Sequence, residues 1–336
     1  MSELVSDYQF DSQVGAVVIG RNEGARLKQC LTSLCNDIEH IVYVDSGSTD
    51  NSVEFAISLG VTVVCLDLSQ PFTAARARNA GLVALVEKQQ ALAYVQFVDG
   101  DCEVQPGWLA KAAEFLDSHS DYAAVCGRRR ERFPESSVYN LLCDIEWDTP
   151  VGEAKSCGGD ALFRLTALQA MNGYRESLIA GEEPEMCFRM RQVGWKIMRL
   201  NVEMTLHDAA MTRLGQWWKR NQRAGHAFAE SYAIHGQSAE KFRRSECKSI
   251  LFWAAILPIG ILGLSFWQPY SLLLLLIYPL QVIRLTIRYQ SRFQNLKQPF
   301  WYALSNVVGK WPQLFGMLEF KKNSLRGVRS RLIEYK

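Results

Sequence analysis

The sequence predicts an α/β domain, with helices on both faces of a mostly parallel sheet, followed by a membrane-associated helical region. Two observations carry this prediction. Short apolar runs alternate with segments of helical spacing over residues 14–210, which is the pattern of βαβ units. The chain then contains 35 successive residues without a formal charge, at 249–283. A length of 336 residues fits about two domains at roughly 100–200 residues each.

The elements of the α/β part follow one another in order along the chain. The apolar runs are short and continuous, as expected of parallel strands that are buried on both faces. The expected strands are Val14–Ile19, Ile41–Val44, Val61–Leu66, Tyr94–Val98, Ala123–Gly127, Ala161–Arg164 and Met198–Leu206. The expected helices are Arg26–Leu34, Asn51–Leu59, Ala74–Val86, Trp108–Leu116 and Met186–Val193. Ligands of such sheets bind beyond the carboxyl ends of the strands, so the chemistry is expected there.

The net charge of +2 conceals a division between the two parts of the chain. Residues 1–209 hold 18 Lys and Arg against 30 Asp and Glu, whereas residues 210–336 hold 19 against 5. The front is therefore acidic and the back is basic, which indicates that the back faces something anionic. Because the sequence shows no nucleic-acid-binding motif, a membrane surface is the expected partner and nucleic acid is not.

The uncharged stretch is long enough for two short spans joined in a hairpin. One span needs about 20 apolar residues, and Gln268-Pro269-Tyr270 lies near the middle of the expected hairpin, 249–287. Arginines and lysines flank the stretch on both sides, which predicts that both ends lie in the cytoplasm. Residues 300–320 are expected to form an interfacial or re-entrant helix, with Trp301 and Trp311 at headgroup level. The alternative is a buried helical domain of a soluble protein.

These features divide the chain into residues 1–210, a basic amphipathic segment at 211–248 and a membrane region at 249–336 that ends in a basic tail. Residues 1–13 lack a basic segment followed by an apolar run, so no secretory signal is expected. The expected location is the cytoplasmic inner membrane, multi-pass, with the α/β domain on the cytoplasmic side. Nine cysteines without C-x-x-C spacing are expected to be reduced and mostly buried, with no structural zinc site.

Acidic residues follow two of the expected strands. Val44-Asp45-Ser46-Gly47-Ser48-Thr49-Asp50 combines a carboxylate at a strand end with a tight turn at Gly47. Helix capping at this turn explains Asp50 but not Asp45, whose carboxylate can accept hydrogen bonds from a base or a ribose. After the later strand, Asp99-Gly100-Asp101 can point two carboxylates into one site. Oxygen ligands suit Mg²⁺ or Mn²⁺, and such ions bridge diphosphates.

Four segments, taken in this order, resemble the family 2 glycosyltransferases, which have the GT-A fold. They are Val17–Glu23, the turn that contains Asp45, Ala77-Arg78-Asn79-Ala80-Gly81 and Asp99-Gly100-Asp101. The resemblance covers about residues 14–210. It implies an inverting transferase that uses a nucleotide sugar, more often linked to UDP than to GDP, together with a divalent metal, Mn²⁺ or Mg²⁺.

The resemblance also implies roles for individual residues. A basic, aromatic segment after the last expected strand adds arginines that could neutralise the leaving diphosphate. The roles are donor binding by Glu23, Asp45, Arg78 and Asp99, with Arg220 or Arg223 on the diphosphate; metal binding by Asp101 and His207; and acceptor binding by Gly159 and Asp160.

An inverting transfer needs a general base that deprotonates the attacking hydroxyl. The family places it in an E-D pair at the start of a helix, and here Glu182 and Glu183 occupy those positions. The resemblance therefore makes Glu183 the base and Glu182 its nearest rival. The alternative is that acidic side chains favour helix N-termini because of the helix dipole. Asp160 and the basic segment also have alternatives. Asp160 could hold its turn instead of binding the acceptor, and the basic segment could lie on anionic lipid.

The expected function is the transfer of one sugar to a lipid-linked acceptor, in polysaccharide or glycolipid assembly. Processive members of the family show a Q-x-x-R-W motif, whereas here Gln216 is followed by Trp-Trp-Lys-Arg. A sugar nucleotidyltransferase would have a glycine-rich basic loop after the first strand, which Gly20–Glu23 does not supply. The absence of G-x-G-x-x-G disfavours a dinucleotide-dependent dehydrogenase. A non-catalytic membrane scaffold with the same fold is the other alternative.

Overall fold

The computed structural model describes residues 13–293, 295–328, 330 and 332–334, and these residues form two compact units. The first unit takes its residues from 13–132, 147–177 and 182–209, and the second from 133–146, 178–181 and the described residues after 209. The sequence did not predict that two short segments of the front part join the second unit. The prediction about a secretory signal concerns residues that lie, except for Gln13, outside the described ones.

Strands lie in the first unit at the places where the sequence predicts them. The structure adds two short strands that the sequence did not predict, β5 and β7. The strands are β1 Val14–Gly20, β2 His40–Asp45, β3 Thr62–Cys65, β4 Tyr94–Asp99, β5 Cys102–Val104, β6 Tyr122–Glu131, β7 Gly152–Glu153, β8 Ala161–Arg164 and β9 Lys196–His207.

Helices separate most of these strands and make up most of the second unit. The helices are α1 Ala25–Cys35, α2 Ser52–Ser58, α3 Ala74–Lys88, α4 Trp108–Ser118, α5 Val138–Trp147, α6 Leu165–Ala170, α7 Glu182–Gln192, α8 Leu214–His235, α9 Arg244–Leu251, α10 Leu257–Ser265, α11 Ile277–Tyr289, α12 Lys297–Val308 and α13 Lys310–Leu325. A π-helical segment, Phe252–Ile256, joins α9 to α10, and a 3-10 helix, Pro269–Leu276, precedes α11.

Among the described residues, all nine strands form one sheet in the order β3-β2-β1-β4-β8-β6-β9-β5, with β7 paired to β9. The four strands from β3 to β4 run parallel, β8 runs antiparallel to both of its neighbours, and β6 runs parallel to β9. Because β2 and β4 flank β1 in the same direction, Asp45 and Asp99 end their strands at one edge of the sheet. That edge is the place where such sheets bind ligands.

The segment Arg78-Asn79-Ala80-Gly81 in α3 fits the helix closely onto the sheet. A Cβ atom at Gly81 would lie 2.3 Å from a methyl carbon of Val17, so glycine is required for this approach. The side chain of Asn79 donates to the backbone oxygen of Tyr174 and accepts from its backbone N–H, both at 2.8 Å. The segment thus fixes α3, and with it the direction in which Arg78 points.

The second unit holds its helices together by close backbone approaches between α8 and α13. A Cβ atom at Gly225 would lie 1.9 Å from the backbone oxygen of Gln313, and one at Gly316 would lie 1.9 Å from that of Gln222. The expected single helix over residues 300–320 is instead divided between α12 and α13 at Gly309, and α13 packs against α8.

The two apolar helices of this unit fit membrane spans by length and composition. They cover Arg244–Ser265 and Pro269–Arg292, with mean hydropathies of 1.9 and 1.7 and only 22% and 6% of their most apolar windows buried. The turn between them carries Phe266 and Trp267, which are 94% and 93% exposed. A turn therefore separates two apolar helices within the stretch for which the sequence predicts a hairpin, and their insertion in a membrane stays a prediction.

Candidate active site

The turn after β2 is built around the Asp45 carboxylate, which is buried. One of its oxygens accepts a hydrogen bond from the Tyr43 hydroxyl at 3.0 Å, and the other accepts from the backbone N–H groups of Gly47 and Ser48, both at 2.9 Å. Gly47 has φ +91°, a conformation that glycine adopts at little cost. Both oxygens of the Asp45 carboxylate therefore take part in the turn, and its role in binding a base or a ribose stays a prediction.

The loop after β1 is tied to this turn. The Asn22 side chain accepts from the backbone N–H of Thr49 at 2.7 Å, and the Asn22 backbone N–H donates to the Ser48 hydroxyl at 2.9 Å. Asp50 accepts from the Gly24 backbone N–H at 3.1 Å. These bonds join the two loops into one rigid wall at the carboxyl edge of the sheet. Glu23, in the first loop, forms an ion pair with Arg26 at 2.7 Å.

A buried chain of alternating charges crosses the floor of this edge. The order is Glu182–Arg78–Asp99–Arg129–Asp160, with N···O distances of 2.6, 2.7, 3.0 and 3.3 Å. Although burial raises the pKa of Asp99, the charges of Arg78 and Arg129 hold it well below its usual range. Asp99 is therefore a permanent anion whose two oxygens are held by two guanidinium groups.

Of the two predicted acceptor residues, Asp160 is the last member of this chain of charges and Gly159 lies against Asp99. Asp160 is fully buried, and its oxygens accept from the Asp99 backbone N–H at 2.9 Å and from the Thr205 hydroxyl at 2.8 Å. These contacts favour the turn-holding alternative for Asp160. A Cβ atom at Gly159 would lie 2.8 Å from a carboxylate oxygen of Asp99, so a side chain there would displace the charge chain.

Asp101 and His207 come together because β9 lies between β5 and β6. In the sheet register His207 faces Cys102 on β5 and Glu131 on β6, and its Nε2 lies 3.3 Å from a carboxylate oxygen of Asp101. Burial, with the charge of Arg129, lowers the pKa of His207, so the imidazole is neutral at pH 7. The Cys102 sulfur lies within 4.8 Å of both ligand atoms, and the Asp101 carboxylate supplies the oxygen that Mn²⁺ and Mg²⁺ favour.

The other nitrogen of His207 has a carboxylate of its own. Glu131 lies 3.6 Å from Nδ1, an ion-pair contact longer than a hydrogen bond, and its position is fixed because it accepts from the Ala209 backbone N–H at 3.0 Å. A carboxylate behind a ligating histidine selects the tautomer and orients the ring. Trp147 packs edge-on against the imidazole at 4.6 Å between ring centroids. The sequence analysis identified neither residue as part of the site.

Glu183, the predicted base, lies in a pocket of thiols at the start of α7. Its Oε1 accepts from the Cys157 backbone N–H at 2.7 Å and from the thiols of Cys187 and Cys157 at 2.9 and 3.2 Å. Burial raises the pKa of Glu183, and these hydrogen bonds offset only part of that effect. Its rival Glu182 instead pairs with the Arg78 guanidinium. Among the described residues, Glu182 has a cation partner whereas Glu183 forms no ion pair. Glu183 is therefore the carboxylate that is suited to taking up a proton.

The basic run at Arg128–Arg132 supplies two residues of the site, Arg129 and Glu131, which the resemblance did not assign to it. Successive side chains of a strand point to opposite faces, so Arg129 and Glu131 share one face of β6. Arg130, on the other face, forms an exposed pair with Glu203 at 2.7 Å. The two-residue period of side chains along a strand was the signal that could have placed Arg129 and Glu131 on one side together.

Replacing Arg129 with alanine is expected to destabilise the fold by about 3–5 kcal/mol, because Asp99 and Asp160 would lose their shared buried cation. The matched control is Arg130→Ala, which removes a pair that is half exposed and contributes about 0–1 kcal/mol. Chemical denaturation of both variants measures the difference. Equal stabilities would contradict the structural role of the charge chain.

Arg220 and Arg223, the predicted diphosphate ligands, lie on α8 in the second unit. The guanidinium of Arg220 pairs with Glu146 at 2.7 Å within that unit, and Arg223 is partly buried. All nine cysteines lie among the described residues and none forms a disulfide; seven of them are buried, as the sequence predicts.

Comparison with known proteins identifies relatives of the first unit. Residues 16–156 match the model of glycosyl transferase family 2. Uncharacterized glycosyltransferases of Rickettsia bellii and Rickettsia felis are 39% identical over 64 residues and 36% identical over 52 residues. These stretches cover 19% and 16% of this chain and 20% and 18% of the relatives. The chain thus matches about a fifth of the length of these curated relatives.

Solved structures share the architecture over a longer range. The mannosyltransferase of Pyrobaculum calidifontis, in complex with GDP-Man and Mn²⁺, has a TM-score of 0.61 at 16% identity, covering 92% of this chain and 87% of that one. The glucosyl-3-phosphoglycerate synthase of Mycobacterium tuberculosis, in complex with phosphoglyceric acid, has a TM-score of 0.50 at 18% identity, covering 67% and 80%. At these identities the likeness concerns the fold.

Proposed function

We infer, because the chain belongs to glycosyl transferase family 2 and has the GT-A fold, that it moves one sugar from a nucleotide-sugar donor to an acceptor held at a membrane. Two observations carry this proposal together. Asp101 and His207 are paired at 3.3 Å, and a separate buried carboxylate, Glu183, has a raised pKa. A metal-holding pair and a general base are the two parts that an inverting transfer needs.

Asp101 and His207 would hold Mn²⁺ or Mg²⁺ in this proposal. The ion would neutralise negative charge on the donor diphosphate as the bond to the sugar breaks. His207 offers the lone pair of its Nε2 because Glu131 faces the opposite nitrogen. The proposal is supported by the complex of the Pyrobaculum calidifontis mannosyltransferase, which contains Mn²⁺ and a nucleotide sugar.

Glu183 would act as the base of a single displacement. As the acceptor oxygen forms its bond to the anomeric carbon, the hydroxyl proton passes to the Glu183 carboxylate and the nucleoside diphosphate leaves with the electrons of the broken C–O bond. Attack from the side opposite the leaving group inverts the configuration. The raised pKa of Glu183 brings the base closer to the pH at which it must work.

The donor would lie against the rigid wall and the charge chain. We propose that Glu23 and Asp45 contact the nucleoside, with UDP preferred over GDP, and that Asp99 contacts the ribose. Arg78 would act by positioning, since its two terminal nitrogens already bind Asp99 and Glu182. Asp99 would likewise be held in one orientation by Arg78 and Arg129.

The acceptor would be lipid-linked and the chain would be a multi-pass protein of the cytoplasmic inner membrane, active in polysaccharide or glycolipid assembly. The two apolar helices and their exposed leucines, isoleucines and aromatics support this. Arg220 and Arg223 would neutralise phosphate, either on the leaving diphosphate or on lipid headgroups. Gly159 would line the acceptor side.

Product analysis with the purified full-length protein tests the proposal. The protein is incubated with a panel of UDP- and GDP-sugars, Mn²⁺ and a membrane lipid extract. Release of nucleoside diphosphate together with a glycosylated lipid is the expected result. Turnover of a nucleoside triphosphate with a sugar phosphate, releasing pyrophosphate, would identify a nucleotidyltransferase instead. No turnover and no nucleotide binding by folded protein would support the scaffold.

Labelling of a cysteine at the hairpin turn tests the membrane arrangement. The variant Gln268→Cys is placed in sealed vesicles with the transferase unit outward. A membrane-impermeant maleimide is expected to label the exposed Cys35 and Cys65 but not the new thiol, which becomes reactive only after detergent is added. Equal labelling in intact vesicles would contradict two spans and indicate a hairpin that lies in the interface.

A further inference from the structure

We propose that Cys157, Cys187 and Glu183 form a second metal site, which takes Zn²⁺ and lies on the proposed catalytic base. All three residues are buried, and their ligand atoms lie within 4.8 Å of one another. No zinc site is expected from the sequence, because the two cysteines are 30 residues apart and have no zinc-motif spacing. The fold brings them together at the start of α7.

The spacing of the ligand atoms fits a tetrahedral ion. The two sulfurs are 3.6 Å apart, and they lie 3.2 and 2.9 Å from the Glu183 Oε1. Bonds of about 2.3 Å to sulfur and about 2.1 Å to oxygen place tetrahedral ligands about 3.6–3.8 Å apart. The three atoms would therefore need to move apart by less than about 0.7 Å to admit the ion. A disulfide would require the sulfurs to approach to about 2.05 Å.

The backbone already holds two of these ligands on one side. Glu183 and Cys187 are four residues apart on α7, so their side chains lie on the same face of the helix. The backbone N–H of Cys157 donates to Glu183 at 2.7 Å, which fixes the loop against the helix. The next residue, Gly158, is exposed, so the loop that carries Cys157 borders solvent.

The ligand chemistry selects a softer ion than the one proposed for Asp101 and His207. Two thiolates favour Zn²⁺, whereas the Asp101 carboxylate favours Mn²⁺ or Mg²⁺, and the group around it contains only the one thiol of Cys102. As two S–Zn bonds form, the two thiol protons pass to solvent, and the Glu183 carboxylate supplies one oxygen. A water molecule completes a site with three protein ligands.

The consequence for activity rests on the proposed function. A zinc ion on Oε1 would occupy the carboxylate that takes the acceptor proton, so bound zinc would stop transfer even with Mn²⁺ in excess. The chain would then be inhibited by free zinc at a site separate from the donor metal.

Cobalt binding tests the site directly. Co²⁺ is titrated into full-length protein in detergent, and a near-ultraviolet sulfur-to-cobalt charge-transfer band with a stoichiometry of one is expected. Zn²⁺ should remove the band, and Cys157→Ser and Cys187→Ser should each lose it. The matched control is Cys102→Ser, which removes a buried thiol beside Asp101 and should keep the band. No band with the unmodified chain, or a band lost only in Cys102→Ser, would overturn the site.

Transfer assays separate this inference from the proposed function. In excess Mn²⁺, activity should fall in proportion to the zinc bound and return when a zinc-selective chelator is added. Transfer that requires Glu183 but is accompanied by no sulfur-bound cobalt would overturn the zinc site alone. Sulfur-bound cobalt with undiminished transfer would overturn both the inhibition and the role of Glu183 as the base.

Discussion

Replacing Glu183 with glutamine is expected to lower kcat for sugar transfer about 10²–10⁴-fold, the range that general bases contribute, while the KM for the donor changes little. Glutamine keeps the shape of the side chain and can still accept hydrogen bonds from the Cys157 backbone and the two thiols. It cannot take up the acceptor proton, so the loss should fall on the chemical step. Single-turnover measurement with saturating donor and acceptor checks this.

The matched control is Glu182→Gln, which changes the neighbouring carboxylate in the same helix turn. Glu182 pairs with Arg78 at 2.6 Å, so its loss should weaken the buried charge chain and the stability of the fold more than the chemical step. A larger loss of kcat in Glu182→Gln than in Glu183→Gln would contradict the assignment and make Glu182 the base.

The pH dependence of kcat gives a second measurement of the same residue. A base works only when it is deprotonated, so the rate should fall as the pH drops through the pKa of Glu183. Because burial raises that pKa, the acid limb should lie above the ordinary value for glutamate, about 4.3. This limb should disappear in Glu183→Gln. An unchanged limb in that variant would assign it to another group.

The strands and the acidic strand ends were predictable because their signals are local. A buried parallel strand is a short apolar run, and the residue that follows it lies at the ligand-binding edge. Asp45, Asp99 and Asp101 were found for this reason. What the sequence could not reveal was that Asp45 and Asp99 have their oxygens already engaged within the protein, by the turn after β2 and by two arginines.

The missed residues depend on pairing between distant parts of the chain. Arg129 and Glu131 enter the site because β6 pairs with β9, which follows more than 60 residues later. The thiol pocket around Glu183 likewise joins a loop to the start of α7. The close packing of α13 on α8 depends on glycines in both helices. Which distant segments pair with or pack on one another leaves no periodic pattern in the sequence.

Replacing Asp101 with alanine is expected to abolish metal-dependent binding of the nucleoside diphosphate and, with it, sugar transfer. The variant removes the oxygen ligand from the cluster of Asp101, Cys102 and His207, and Mn²⁺ and Mg²⁺ favour oxygen ligands. Calorimetry with UDP and GDP, with and without Mn²⁺, measures the loss in the full-length protein. Thermal unfolding shows that the variant is folded.

Two further variants grade this effect. Glu131→Gln removes the carboxylate behind His207 and should weaken Mn²⁺ binding about 10–100-fold, since partners of a ligating histidine contribute on that scale. Asp121→Ala removes an exposed aspartate that pairs with Lys196 and should bind metal and nucleotide as the unmodified chain does. Metal-dependent binding that survives Asp101→Ala, or that responds equally to Asp121→Ala, would contradict the metal site. The loss of metal binding should be largest in Asp101→Ala, smaller in Glu131→Gln and absent in Asp121→Ala. That order would place the metal at the carboxyl edge of the sheet.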